Sequence, residues 1–220
     1  MEGTLKPLSV AAVKEAMEQE VVVLDSRPST LFTLGFVPGS INIGLDGKYA
    51  EWAEMLLPAK KPLVLVTQPG QEVESAQKLQ DKGFTIAGYL EGGFDAWRNS
   101  GEEVDLIIDI EADEMAMDLP FDENILVMDV RQPNEFAEGH VVDAENVPLA
   151  EFTDLVNIAN IEEEQNVYIH CGAGYRSVIA ASLLKRQGIH NLRNILGGWD
   201  AIREEPRIKK TKEEKKKSEE

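Results

Sequence analysis

The chain holds one cysteine, Cys171, and three histidines in 220 residues. One cysteine excludes an internal disulfide framework and fits a reducing compartment. His140, His170 and His190 lack metal-ligand spacing, so a histidine-built metal site is not expected. Long apolar runs are absent as well. None approaches the roughly 20 residues of a membrane span, and the N-terminus shows no charged segment leading into an apolar core. The expected location is therefore the cytoplasm. Basic residues are scarce: 22 Lys+Arg against 40 Asp+Glu leave a formal charge of −18. From Arg203 onward there are 8 basic and 6 acidic residues, so the remainder carries −20. Such a body repels nucleic acid and anionic membranes, and neither is expected as a partner. The stretch from Lys209 mixes both signs without apolar residues, and residues 205–220 are expected to form a disordered tail. No Gly-x-Gly-x-x-Gly follows a strand, so Gly197-Gly198 does not make a dinucleotide site.

What the chain has is a repeat. Val21-Val22-Val23-Leu24-Asp25-Ser26-Arg27 matches Ile125-Leu126-Val127-Met128-Asp129-Val130-Arg131. Gly35-Phe36-Val37 and Asn42 match Gly139-His140-Val141 and Asn146 at the same shift of 104 positions. Leu90 to Trp97 then matches Leu196 to Ala201, with Gly93 and Gly198 at a shift of 105. The one-residue slip falls between Thr67–Glu72 and Cys171–Ser177. Trp97 and Trp199 are taken as equivalent packing residues.

Each copy reads as an α/β unit. Val21–Leu24, Leu63–Val66, Ile125–Met128 and Val167–Ile169 are short β-branched runs without helical periodicity. Their unbroken apolar character is that of parallel strands buried on both faces. Ser177–Gln187 reads as a helix with Val178, Ala181, Leu183 and Leu184 inward and Gly188 as C-cap; Glu72–Lys82 ending at Gly83 is its counterpart. The expected organisation is a first unit over residues 1–102 and a second over 103–204, each a central parallel sheet flanked by helices. Val104–Ile110 is a candidate edge strand of the second unit.

The informative stretch is Val167-Tyr168-Ile169-His170-Cys171-Gly172-Ala173-Gly174-Tyr175-Arg176-Ser177. It places a thiol where a buried strand ends and a helix begins, the position at which open α/β sheets bind ligands. Amides converging above a helix N-terminus favour an anion there, and glycines let the loop curl. Arg176 adds a fixed charge able to hold an oxyanion by a bidentate fork. These features suit sulfane sulfur transfer through a Cys171 persulfide, which is itself an anion. That chemistry needs no metal or organic cofactor.

Asp129-Val130-Arg131, Glu135-Phe136 with Gly139-His140-Val141, Asn146-Val147-Pro148, Cys-x4-Arg-Ser and Gly197-Gly198-Trp199 together resemble rhodanese, a sulfurtransferase family, over about residues 104–202. The first copy resembles the same family more weakly over about residues 7–100. The resemblance implies Cys171 as persulfide carrier and Gly172, Ala173, Gly174, Tyr175 and Arg176 as the substrate-binding loop. It also implies Asp129, Arg131 and Ser177 as supporting residues. Expected partners are a small sulfur donor, such as thiosulfate or a persulfide, and a thiol or cyanide acceptor. The first copy departs where it matters: Thr67 stands opposite Cys171, Pro69 removes an amide donor, and Gln71 or Glu72 stands in place of the arginine. The first unit is therefore expected to be inactive. An inactive unit before an active one is also similar to the rhodanese region of proteins fused to a metallo-β-lactamase-type persulfide dioxygenase, which implies a persulfide-oxidising enzyme as a partner.

Two rivals stay open. Cysteine phosphatases and arsenate reductases use Cys-x5-Arg, whose loop is one residue longer and wraps a tetrahedral oxyanion. Alternatively, the chain is a sulfur-carrier or interaction module that presents a Cys171 persulfide without efficient turnover. Its acidic body repels small anionic donors. His170 is read as facing away from the loop in a packing or hydrogen-bonding role, and His140 as a structural loop residue.

Overall fold

The structure is a computed structural model describing residues 5–58, 60–162 and 164–212. The chain divides into two units whose main border falls at Ile107/Ile108. The first runs β1 (Pro7–Leu8), α1 (Val10–Glu18), β2 (Val22–Asp25), α2 (Ser29–Phe32), β3 (Ile41–Asn42), α3 (Tyr49–Leu56), β4 (Leu63–Val66), α4 (Glu72–Gln80), β5 (Ile86–Leu90) and α5 (Gly93–Asn99). The second runs β6 (Ile108–Ile110), α6 (Ala112–Asp118), β7 (Ile125–Asp129), α7 (Pro133–Glu138), β8 (His140–Val141) and β9 (Glu145–Asn146). Two short 3-10 turns lead on to β10 (Asn166–His170), α8 (Tyr175–Arg186), β11 (Leu192–Ile195), α9 (Gly198–Glu204) and β12 (Lys210–Thr211). Among the described residues no helix is long and apolar enough to cross a membrane.

Both units build the same five-stranded parallel sheet flanked by helices. The order is β1-β5-β4-β2-β3 in one and β6-β11-β10-β7-β9 in the other. Val22, Val23 and Leu24 of β2 and all four residues of β4 are at most 1% exposed. Burial on both faces is why these strands read as continuous apolar runs rather than alternating ones. Each such Val or Leu contributes about 1.5–3 kcal/mol of transfer free energy. Helix α8 is buried nearly all round, with Val178, Ile179, Ala180, Ala181 and Leu184 in the core, whereas Leu183 is only half-buried. It ends at Gly188, whose φ of +89° lets the amide of Ile189 return to the carbonyl of Leu184 at 3.1 Å.

Three expectations change. The border lies later than residues 102/103. Asp105 bridges Phe36 antiparallel, and the amide of Ile107 bonds Thr33 O, so these residues belong to the first unit. Only Ile108–Ile110 forms the edge strand of the second sheet, against β11. Residues 205–212 are not a disordered tail: Ile208 is 3% exposed in the core of the second unit, and β12 pairs antiparallel with β8. One apolar anchor and a free strand edge outweigh the charged composition there. Residues 213–220 of that expected tail lie outside the described residues. Finally, the two tryptophans are not equivalent. Phe94 stands where Trp199 does, each ring beneath a buried guanidinium: Arg27 at 4.3 Å from Phe94 and Arg131 at 4.5 Å from Trp199. Trp97 is 3% exposed at the position of Ile202.

Candidate active site

β10 ends at His170 and α8 begins at Tyr175, so Cys171–Gly174 forms a tight loop at the carboxyl end of a central strand. Two loop carbonyls are held from one side. Trp199 N–H donates to Cys171 O at 2.7 Å, and Asp200 N–H to Gly172 O at 3.1 Å. Both donors belong to the first turn of α9, where amides lack intrahelical partners. On the other side, the amide of Gly174 donates to Cys171 Sγ at 3.1 Å. The thiol is 1% exposed. Two glycines make this possible. Gly174 has φ +100°; Gly198 has φ +53°, and a Cβ there would lie 2.9 Å from Gly172 O and closer still to the Cys171 carbonyl oxygen. Gly172, Gly174, Tyr175 and Arg176 are half-buried and Ala173 is exposed, so the loop forms a mouth.

Arg176, in the first turn of α8, does not offer an empty fork. Its Nη1 donates to Glu135 Oε2 at 2.7 Å and its Nη2 to Glu135 Oε1 at 2.9 Å. Glu135 comes from α7, where it also accepts the amide of Gln132 at 2.9 Å in a capping box. The guanidinium holds the Glu135 carboxyl well below the usual range, at about 2. Glu135 in turn raises Arg176, and Cys171 adds smaller contributions in the same direction. Glu135 belongs to the sequence pattern given above, which carries no expected site role for it. The available signal was Leu31, which occupies its position in the first copy.

Asp129 and Arg131 lie behind the loop. Arg131 donates from Nε and Nη2 to Asp129 at 3.0 and 2.6 Å and from Nη2 to Gly139 O at 2.7 Å. Both side chains are buried. Asn146 Nδ2 closes the arrangement on the carbonyls of Asp129 and Arg131. His170 is fully buried, with Nδ1 3.3 Å from Cys171 O and Nε2 3.8 Å from Asp129, too far for a hydrogen bond. Burial pushes its pKa down, so the ring is neutral at neutral pH. His140 is buried, stacks on Phe136 and pairs its Nδ1 with Phe136 O at 2.8 Å. Ser177 Oγ is buried without a hydrogen bond, beneath the loop's helix start.

The family of rhodanese-like domains matches this chain twice, over residues 9–100 and 111–205. The chain belongs to the rhodanese-like family. Among curated relatives it is 37% identical over 73 residues to an uncharacterized Bacillus subtilis protein, YqhL, covering 33% of this chain and 56% of that protein. It is 29% identical over 93 residues to a sulfurtransferase of Allochromatium vinosum, covering 42% and 85%. It is 31% identical over 70 residues to the thiosulfate sulfurtransferase PspE of Escherichia coli, covering 32% and 67%. The chain thus spans little more than half the length of the first of these relatives.

The first rhodanese-like unit shows which features are scaffold. Arg27 holds Asp25 at 2.6–3.0 Å and Gly35 O at 2.9 Å, and Asn42 closes on the carbonyls of Asp25 and Arg27. The clamp of the second unit is therefore reproduced where no thiol exists. At the loop itself Thr67 is 4% exposed, and the amide of Gly70 bonds Glu72 Oε1. A cleft of about 280 Å³ there is lined by Leu31, Leu34, Thr67, Pro69, Phe94 and Arg98 among others.

Proposed function

We propose that the second rhodanese-like unit is a sulfurtransferase site in which Cys171 carries the sulfur as a persulfide. The observation behind this is the amide of Gly174 on Cys171 Sγ, in a loop whose carbonyls α9 turns away. A donor aimed at Sγ favours the charge that atom carries in the attacking thiolate and again when the acceptor takes the outer sulfur. The Cys171 thiolate attacks the sulfane sulfur of a donor, forming a new S–S bond as the donor's own S–S bond breaks. The bonding pair leaves on sulfite when the donor is thiosulfate, or on a thiolate when it is a persulfide. An acceptor thiolate or cyanide then attacks the sulfane sulfur of Cys171-S-S⁻, and the pair returns to Cys171. The four-residue spacing between Cys171 and Arg176 favours one sulfur atom over a tetrahedral oxyanion. Asp129 and Arg131 support the loop through the backbone, because the same pair serves the first unit without a thiol. The first unit does not transfer sulfur in this scheme.

The test is intact mass measurement after exposure to a panel of thiosulfate and persulfides. Cys171 gains one sulfur atom and Cys171→Ser gains none; no adduct from any donor would overturn the proposal. A second reading, a carrier that passes its persulfide to a partner such as a persulfide-oxidising enzyme, draws on the strongly acidic charge of −18. Under that reading, cyanide-dependent thiocyanate formation from thiosulfate is no faster than in Cys171→Ser, although the persulfide still forms from other donors.

A further inference from the structure

We propose that Glu135 sets donor specificity at the Cys171 site. By holding both prongs of Arg176 it cancels the positive charge at the loop mouth. The site then favours a persulfide, whose leaving group is a monoanionic thiolate, over thiosulfate, whose leaving group is dianionic sulfite. This rests on the sulfur-transfer function proposed above and specifies its donor.

Three observations carry it. The first is geometry: the two contacts at 2.7 and 2.9 Å engage both nitrogens that would otherwise meet a donor's oxygens. The second is charge. With Arg176 paired to Glu135, a dianion meets a carboxylate beside the guanidinium instead of a lone cation, in a chain of formal charge −18. The Glu135 carboxyl, held at about 2, is ionised throughout the neutral range. The third is the internal comparison. The first unit keeps the Asp25–Arg27 clamp but has Leu31 in place of Glu135 and Gln71 or Glu72 in place of Arg176. The Glu–Arg pair therefore accompanies the thiol and not the scaffold.

The transfer balances as before. The Cys171 thiolate bonds to the terminal sulfur of R-S-S⁻, the R-S to sulfur bond breaks, and the electron pair departs on R-S⁻. No oxidant or reductant enters.

Glu135→Gln removes the charge while keeping an acceptor for the Gln132 amide. Loading of Cys171 is followed by mass in single turnovers, with thiosulfate and with the persulfide of 2-mercaptoethanol, whose tail is uncharged. The ratio of kcat/KM for thiosulfate to that for the persulfide rises about tenfold, chiefly through a lower KM for thiosulfate, and the gain shrinks with added salt. Glu135→Leu, copying Leu31, repeats the shift without a hydrogen-bonding side chain. Arg176→Ala lowers thiosulfate use about tenfold or more, because Glu135 is left unpaired at the mouth; adding Glu135→Gln recovers part of the loss. A ratio that is unchanged or falls in both Glu135 variants overturns the specificity role. If wild-type Cys171 loads normally in that case, sulfur transfer stands and only the role of Glu135 falls. If no donor loads wild-type Cys171, both fall.

Discussion

Gly198→Ala tests whether α9 holds the thiol loop in its working shape. Two penalties follow from the structure. An alanine at φ +53° sits in the left-handed region, which disfavours L-residues by about 1–2 kcal/mol. Its Cβ would also press on the carbonyls of Cys171 and Gly172, so the loop must retreat by roughly half an ångström or more. Retreat breaks or stretches the bonds from Trp199 N–H and Asp200 N–H, each contributing about 0.5–1.5 kcal/mol. The total is about 2–5 kcal/mol, concentrated at the site. Gly93→Ala in the first unit is the control. Its φ is +60°, so the backbone penalty is the same, but its Cβ would stand 3.0 Å from Thr67 O and only a slight shift is needed. Amide hydrogen exchange read by mass spectrometry follows each unit separately, which matters because a two-unit chain need not unfold in one step. Gly198→Ala should loosen residues 171–176 and slow sulfur loading about a hundredfold, the order expected from misplacing a reacting group by about 1 Å. Gly93→Ala should leave loading within about twofold. Wild-type loading and an undisturbed loop in Gly198→Ala would refute the assignment of α9 as the clamp.

The remaining predictions concern the charges and the inactive copy. The Glu135 carboxyl is lowered from 4.5 to about 2 in the folded chain, so the pair stabilises fully above pH 4.5 and is lost as pH falls toward 2; Glu135→Gln should flatten stability against pH in that window. Asp129→Ala strands a buried guanidinium and should destabilise the second unit by about 3–5 kcal/mol, read by hydrogen exchange; Asp25→Ala should do the same to the first unit and leave Cys171 loading intact. Thr67→Cys, made with Cys171→Ser, should gain no sulfur from any donor, because Pro69 has no N–H, the Gly70 amide is held by Glu72 Oε1 and no arginine stands in the loop; a sulfur adduct on residue 67 would contradict this.

The repeat, the two parallel sheets and the position of the thiol loop were legible in the sequence. Apolar runs such as Leu63–Val66 are continuous only where both faces are buried, and Cys171 sits between one such strand and a glycine-rich helix start. The partner of Arg176 was not legible. Glu135 lies 41 residues away, and the contact exists only because α7 and α8 meet beside the loop. The hint was present, since the same shift that aligns Asp25 with Asp129 sets Leu31 against Glu135. The Phe94–Trp199 correspondence is masked by the likeness of the two tryptophans, although the 105-residue shift sets Phe94 against Trp199. β12 is not legible because average composition hides Ile208, one buried apolar side chain among charges.

The duplicated clamp also bears on how such a chain can drift. Removing either member of a buried ion pair strands the other and costs about 3–5 kcal/mol, whereas replacing both together with apolar residues can be neutral. Single substitutions therefore face a valley at Asp25 and Arg27, whereas Thr67, Leu31 and Gln71 belong to no buried ion pair. The first unit shows that asymmetry: it keeps the clamp whose single loss is costly, while Thr67, Leu31 and Gln71 stand where the second unit has its thiol and its Glu–Arg pair.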